Sequence, residues 1–253
     1  MIDTTLMMVT YNRLDLTQKT IDNLLKNTKH PCSLVVVDNG SKDDTPKYLQ
    51  ELQQNCNDDL LGAIKNVELI LLPENKGIAE GRNRALKKAD ELKTKWYCTI
   101  DNDVQVPDGW LGKCIQVLSK NRNYGGIGVN MENIPYSLVT KNGCYFQDKP
   151  KGNLGTACMV FSKNLHKMIG FFSMEYGVYG LEDSDFGMRT RVAGFKLGYI
   201  KEMGIHIGAD EDEKNEYRKF KTKQHSDYLV LFKQNCARYF NNQKPIFINY
   251  QEK

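Results

Sequence analysis

The residue types best suited to chemistry are acids that close apolar runs. Asp101-Asn102-Asp103 follows the run Trp96 to Ile100. In extended chain, residues two apart share a face, so Asp101 and Asp103 are expected to point the same way. Two carboxylates at the end of a buried strand are costly unless a divalent cation sits between them and an anionic ligand. Mg²⁺ and Mn²⁺ take oxygen ligands and leave positions for diphosphate oxygens. Asp-Asn-Asp is also a turn-forming tripeptide; the apolar strand before it favours the cation. Asp38 follows Leu34 to Val37 in the same manner, and two readings stand for it: acceptor from a base N–H or ribose hydroxyl, or an Asx-type turn or cap. Glu182, Asp183 and Asp185 open a helical pattern. Dipole capping needs only one or two of them, and an acid beside a donor can act as general base toward an acceptor hydroxyl. The sequence does not choose which.

Gly77, with Lys76, Arg82 and Arg84, marks a helix start. Helix N-termini attract anions, and glycine admits close backbone approach. Arg82 shares a stripe with Ile78 and Ala85 and reads as functional, whereas Arg84 reads as part of a solvated basic face. His206, in Gly204-Ile205-His206-Ile207-Gly208, has the setting of a satisfied core histidine, and imidazole is also a good Mn²⁺ or Zn²⁺ ligand.

These residues need a frame, and the first half supplies one. Leu6 to Val9, Leu34 to Val37, Val67 to Leu72 and Trp96 to Ile100 read as buried strands. Between them lie helical patterns at Leu14 to Lys26, after Asp44-Thr45-Pro46, from Ile78 and from Trp110. Alternation of this kind predicts an open α/β sheet, with ligands at the strand C-terminal ends. Thr10 to Arg13, Asp38 to Ser41 and Asp101 to Asp103 collect there. After Gly125 the spacing predicts strands at 126–131 and 154–161, a loop or hairpin at 132–153, and a short helix at 165–169. A helix over 182–193 would pack through Phe186, Met188 and Val192. Extended segments follow at 195–200 and 204–208, then a basic and later apolar helical tail over 213–240.

A chain of 253 residues, 40% apolar and 26% charged, suits one large domain with a small appendage. The net charge of +4 is compatible with nucleotides or an anionic surface and decides little. No apolar run reaches the roughly 18 residues of a membrane span, and no leader pattern opens the chain. The seven cysteines show no C-x-x-C pair, which disfavours a zinc site or disulfide framework. Cys98, Cys114 and Cys158 read as small core residues, and the expected compartment is the reducing cytoplasm.

Taken in order, Val9-Thr10-Tyr11-Asn12-Arg13, Val37-Asp38-Asn39-Gly40-Ser41, Asn75-Lys76-Gly77 with Arg82, Asp101-Asn102-Asp103, and Gly180-Leu181-Glu182-Asp183-Ser184-Asp185-Phe186 with Arg189 resemble the inverting family 2 glycosyltransferases of the GT-A fold, over roughly residues 4 to 208. The resemblance implies an open mixed sheet flanked by helices, with a nucleotide-binding half at 1–124, an acceptor half at 125–208 and a helical tail at 209–253. It implies that Thr10, Tyr11 and Asn12, with Arg13 beside them, form the base-binding loop. Asp38 would meet the nucleobase, Arg82 at the Gly77 helix start the nucleotide, and Asp101, beside Asn102, the ribose. Asp103 and His206 would hold Mn²⁺ or Mg²⁺, Asp183 would be the base, and Glu182 would position the acceptor. The implied donor is a nucleotide-diphosphate sugar, UDP-linked, and the acceptor a hydroxyl on a glycan, glycolipid or other polymer. Many members carry further domains or membrane helices after the histidine; here the tail takes that place, and peripheral membrane contact is one expected use for it.

Three other functions compete. A nucleotidyltransferase would carry a glycine-rich basic loop after the first strand, where this chain has Thr-Tyr-Asn-Arg. A non-catalytic nucleotide-sugar-binding protein would not need Asp101, Asp103 and Asp183 together. A nucleic-acid acceptor would use the tail's Lys214, Arg218, Lys219, Lys221 and Lys223 with Tyr217 and Phe220 interleaved; a solvated helix face is the simpler account of that run.

Overall fold

The computed structural model describes residues 2–57, 61–131, 134–208 and 216–251, with the backbone alone at 57 and 216–218. Four parallel strands build the first half: β1 (Thr4–Thr10), β2 (Cys32–Asp38), β3 (Ile64–Leu71) and β4 (Trp96–Asp101). They are joined by α1 (Leu14–Asn27), α2 (Thr45–Asn57) and α3 (Ile78–Glu91). All seven residues of β2 are buried, because helices cover both faces. Leu34 and Val36 pack with Ile21 and Leu24 of α1, while Val35 and Val37 pack with Ala85 and Leu86 of α3. Alternate side chains thus fill two separate cores.

The short strand β5 (Val104–Gln105) leads into α4 (Trp110–Lys120) and β6 (Tyr124–Asn130). Then come the hairpin β7 (Leu138–Lys141) and β8 (Cys144–Lys149), β9 (Cys158–Ser162), α5 (Lys163–Ile169), α6 (Glu182–Val192), β10 (Lys196–Met203), β11 (Ile205–His206) and α7 (Glu216–Phe240). The main sheet has the order β3-β2-β1-β4-β9-β6-β10-β8-β7, with β5 and β11 forming a separate pair. β9 is antiparallel to both β4 and β6, which makes the sheet mixed. It is an open mixed sheet flanked by helices, the architecture that the resemblance implies.

Several expectations change. The strand expected over 154–161 begins only at Cys158. The excursion at 132–153 keeps its expected character and contains the β7–β8 hairpin. The segment 204–208 is extended only at Ile205–His206. β4 ends at Asp101 and Asn102–Asp103 is a turn, so the two aspartates converge by chain reversal and not by strand alternation.

The inward face of α6 is largely polar. Phe186 is buried, but Met188 and Val192 are partly exposed, and Glu182, Asp185, Arg189 and Thr190 take the inner positions. Asp185 pairs with Arg189 in full burial and accepts the hydroxyls of Tyr176 at 2.8 Å and Tyr239 at 2.9 Å. Arg189 donates to the carbonyls of Ile169, Phe171 and Ile246. Tyr239 and Ile246 belong to the tail, so this pair ties α7 and the chain after it to the body. Lys214 lies outside the described residues, and the side chains of Tyr217 and Arg218 are likewise outside them. Lys219 and Lys223 are exposed. All seven cysteines are free, and five, including Cys98, Cys114 and Cys158, are buried.

Candidate active site

A cleft of about 940 Å³, counting its open mouth, lies at the C-terminal ends of β1 and β4. Its walls come from those strands, α3, the loop before α6, β11 and the first turns of α7. Thr10, Tyr11, Arg13, Arg82, Asp101, Asn102, Asp103, Glu182, Asp183 and His206 all line it.

The loop after β1 is set by two consecutive left-handed residues, Asn12 (φ 53°) and Arg13 (φ 65°). Hydrogen bonds hold that shape: the Asn12 N–H donates to Ser41 Oγ at 2.7 Å, and Asn12 Oδ1 accepts from the Lys42 N–H at 2.9 Å. Asp38 serves the same junction. It is buried, accepts the Ser41 N–H at 3.0 Å and also accepts the Ser41 hydroxyl. Its carboxylate closes its own turn, and Asp38 and Asn12 are not among the cleft-lining residues. Asn102 acts as a brace, donating to Thr10 Oγ1 at 3.1 Å and Thr17 Oγ1 at 3.0 Å.

Gly77 caps α3 at φ 90°, a region that disfavours a side chain. A Cβ there would also stand 3.0 Å from the backbone of Val178, whose carbonyl accepts the Ile78 N–H at 2.9 Å. Gly77 therefore seats the loop before α6 against α3 and does not itself line the cleft. Asn39 stitches the same corner, donating to Asn75 Oδ1 at 2.9 Å and to the Gly77 carbonyl at 3.1 Å.

Arg82 is buried and bridges the two acid groups, donating to Asp101 Oδ1 at 2.9 Å and to Glu182 Oε1 at 2.6 Å. Its guanidinium also lies 5.6 Å from the Phe172 ring centre. Arg84 is not on a solvated face: it pairs with buried Glu80 at 2.8 Å, which also accepts the Tyr250 hydroxyl. Burial pushes the Glu182 carboxyl up to about 8, against the pull of Arg82. Its second oxygen is buried without a hydrogen-bond partner. Burial likewise raises Asp183, with Arg82 opposing.

Asp103 is raised by burial and then by Asp101, while His206, Arg13 and Lys221 pull it down. Arg13 Nη1 donates to its Oδ2 at 2.9 Å, and His206 Nε2 lies 3.4 Å from its Oδ1. That gap is long for a hydrogen bond and close enough for two atoms to share one cation. His206 is one-third exposed and so is not a core residue; its Nδ1 is buried without a partner. A carboxylate oxygen and an imidazole nitrogen facing a polar cleft suit Mn²⁺ or Mg²⁺ as a partial ligand set. Among the described residues no group of three or more His, Cys, Asp or Glu is placed so that it could hold a metal ion.

Five further cleft residues stand outside the roles that the resemblance implies. Asn39 and Asn75 lie inside recognised motifs. Tyr179 has no signal in the sequence. Phe220 and Lys221 reach the cleft from α7, and their only signal was the basic-aromatic run of the tail.

An open mixed α/β sheet with an acidic cleft at its strand ends is the design of a GT-A glycosyltransferase. Residues 5–167 match the family model for glycosyl transferase family 2, and the chain belongs to that family. It is 27% identical over 180 residues to the UDP-N-acetylglucosamine–dolichyl-phosphate N-acetylglucosaminyltransferase of Methanococcus voltae, a match covering 68% of this chain and 62% of that protein. The fold is similar to mannosyltransferase PcManGT of Pyrobaculum calidifontis, solved with GDP-Man and Mn²⁺: TM-score 0.68, 18% identity, 93% of this chain and 64% of that one. It is also similar to S. aureus TarS 1–349 solved with UDP-GlcNAc: TM-score 0.60, 18% identity, 82% and 61%. The chain therefore spans about three-fifths of the length of these relatives. Among the described residues no helix is long and apolar enough to cross a membrane.

Proposed function

We propose that this chain transfers a hexose from a nucleotide-diphosphate sugar to an acceptor hydroxyl, with inversion at the anomeric carbon. The observation that carries this reading is the convergence of Asp183, the Arg82-bridged pair Asp101 and Glu182, and Asp103 with His206 on one cleft. Residues 1–124 make the donor half and 125–208 the acceptor half; in the tail, 209–253, Phe220 and Lys221 join the donor cleft. Tyr11 and the loop around it face the base, and Asp101 meets the ribose. A divalent cation, Mn²⁺ or Mg²⁺, held by Asp103 and His206 would supply Lewis-acid neutralisation of the departing diphosphate. Asp183 accepts the acceptor hydroxyl's proton. The freed oxygen attacks the anomeric carbon as the bond to the diphosphate oxygen breaks. One displacement inverts the centre. Glu182, held by Arg82, positions the acceptor.

The names of the relatives support the donor class, and two of the three name a UDP sugar. The Methanococcus voltae enzyme is named for a lipid-phosphate acceptor, which favours a lipid-borne acceptor and contact with a membrane surface. The test is release of nucleotide diphosphate from a panel of nucleotide sugars with Mn²⁺, with and without EDTA, read alongside thermal shift. Metal-dependent release from one donor is expected, abolished in Asp103→Ala and reduced about 10²–10⁴-fold in Asp183→Asn. A folded protein that neither releases nucleotide nor is stabilised by any donor would leave a non-catalytic protein as the better reading.

A further inference from the structure

Arg13 stands in an unusual position for a cation. It is the N-cap of α1 in the left-handed region, and its guanidinium reaches back across the cleft floor to Asp103. The carboxylate is thereby divided. Oδ2 receives Arg13 Nη1 at 2.9 Å, and Oδ1 is the oxygen turned toward His206 Nε2. Gly208 closes the third side. A Cβ there would stand 2.5 Å from Asp103 Oδ2 and 2.6 Å from Arg13 Nη2. Its φ is not positive, so the absence of a side chain serves space and not backbone conformation. The Ile207 N–H donates to the Asp103 carbonyl at 2.8 Å, which fixes the β11 end of this arrangement to the turn that carries Asp103.

We propose that Arg13 is a positioning residue for the cation site: it clamps Oδ2 of Asp103 so that the carboxylate presents one oxygen, Oδ1, beside His206. The inference rests on the reading that Asp103 and His206 hold a divalent cation. A carboxylate left to rotate would not keep one oxygen beside the imidazole, and partners that orient ligands usually govern affinity by 10–100-fold. The opposite role is physically reasonable too. An arginine on a metal-binding carboxylate can act as a competing cation, occupying the site until metal displaces it. The two roles predict opposite signs.

The experiment is Mn²⁺ titration of the whole protein, without donor, by the electron paramagnetic resonance signal of free Mn²⁺. Arg13→Gln is expected to weaken Mn²⁺ binding about 10–100-fold with an unchanged melting temperature. Arg13→Lys, which keeps the charge and loses the fork, should fall between it and wild type. Gly208→Ala leaves the charge in place and wedges the pair apart, so a clamp requires it to weaken Mn²⁺ binding as well. Unchanged or tighter binding in Arg13→Gln would overturn the clamp, tighter binding identifying a competitor. Asp103→Asn and His206→Ala separate the two layers. Mn²⁺ binding that survives both would remove the cation site itself, whereas binding lost in both and unmoved by Arg13→Gln would remove only the clamp.

Discussion

Arg82 faces three carboxylates at once. It bonds Asp101 and Glu182 directly and acts through its charge on Asp183. Burial opposes the charge on Arg82, but the three acids outweigh it and hold the guanidinium protonated above its ordinary range. For the acids the balance runs the other way, since burial lifts Glu182 and Asp183 and Arg82 only partly restores them. A general base must be ionised to work. With the Asp183 carboxyl raised, kcat/KM should fall as pH drops through a value above the ordinary aspartate pKa of about 4. Arg82→Gln removes the charge that pulls this carboxyl down, so its acid limb should move to higher pH. The pH profiles of kcat/KM in the two proteins decide it: a limb that stays in place would show that Asp183 is not the titrating base or that Arg82 does not govern it.

At the scale of elements, much of the first half was legible. The apolar runs at Leu6 to Val9, Leu34 to Val37 and Trp96 to Ile100 became β1, β2 and β4 because a strand covered on both faces needs no polar alternation. The turn at Asn102–Asp103 was not legible, because Asp and Asn fit a strand end and a turn equally well. Asp38 kept two readings, since its choice of Ser41 as partner depends on a tight turn that sequence does not display. α6 misled for a different reason. Apolar periodicity assumes that the buried face is apolar, and here Asp185 and Arg189 are 0% exposed while Met188 and Val192 are not buried. Asp185→Ala would leave that guanidinium buried without its acid. Loss of one partner from a buried pair costs about 3–5 kcal/mol, and Tyr176 and Tyr239 lose their acceptor as well. Urea unfolding should show a drop of that size. A change under about 1 kcal/mol would mean that the pair is worth no more than a solvated one.

At the scale of the whole molecule, the family model ends at residue 167, yet the cleft is completed beyond it. Asp183 and Glu182 stand on α6, His206 on β11, and Phe220 and Lys221 on α7. α7 is anchored by Tyr239 on Asp185 and by Asn235 on Glu175 and Tyr176, and its opening turns reach the cleft. The positive charge of Lys221 already bears on Asp103, and its ammonium lies 5.0 Å from the Tyr179 ring centre. A cation and an aromatic ring at the mouth of a nucleotide cleft suit a diphosphate and a ring face. Lys221→Ala should therefore weaken binding of the nucleotide diphosphate about tenfold or more, the value of one charge-assisted contact. Phe220→Ala should weaken it less. Calorimetric titration of the nucleotide diphosphate into both variants measures this. Affinity equal to wild type in Lys221→Ala would confine the tail to a structural role and return the donor site to the first 208 residues.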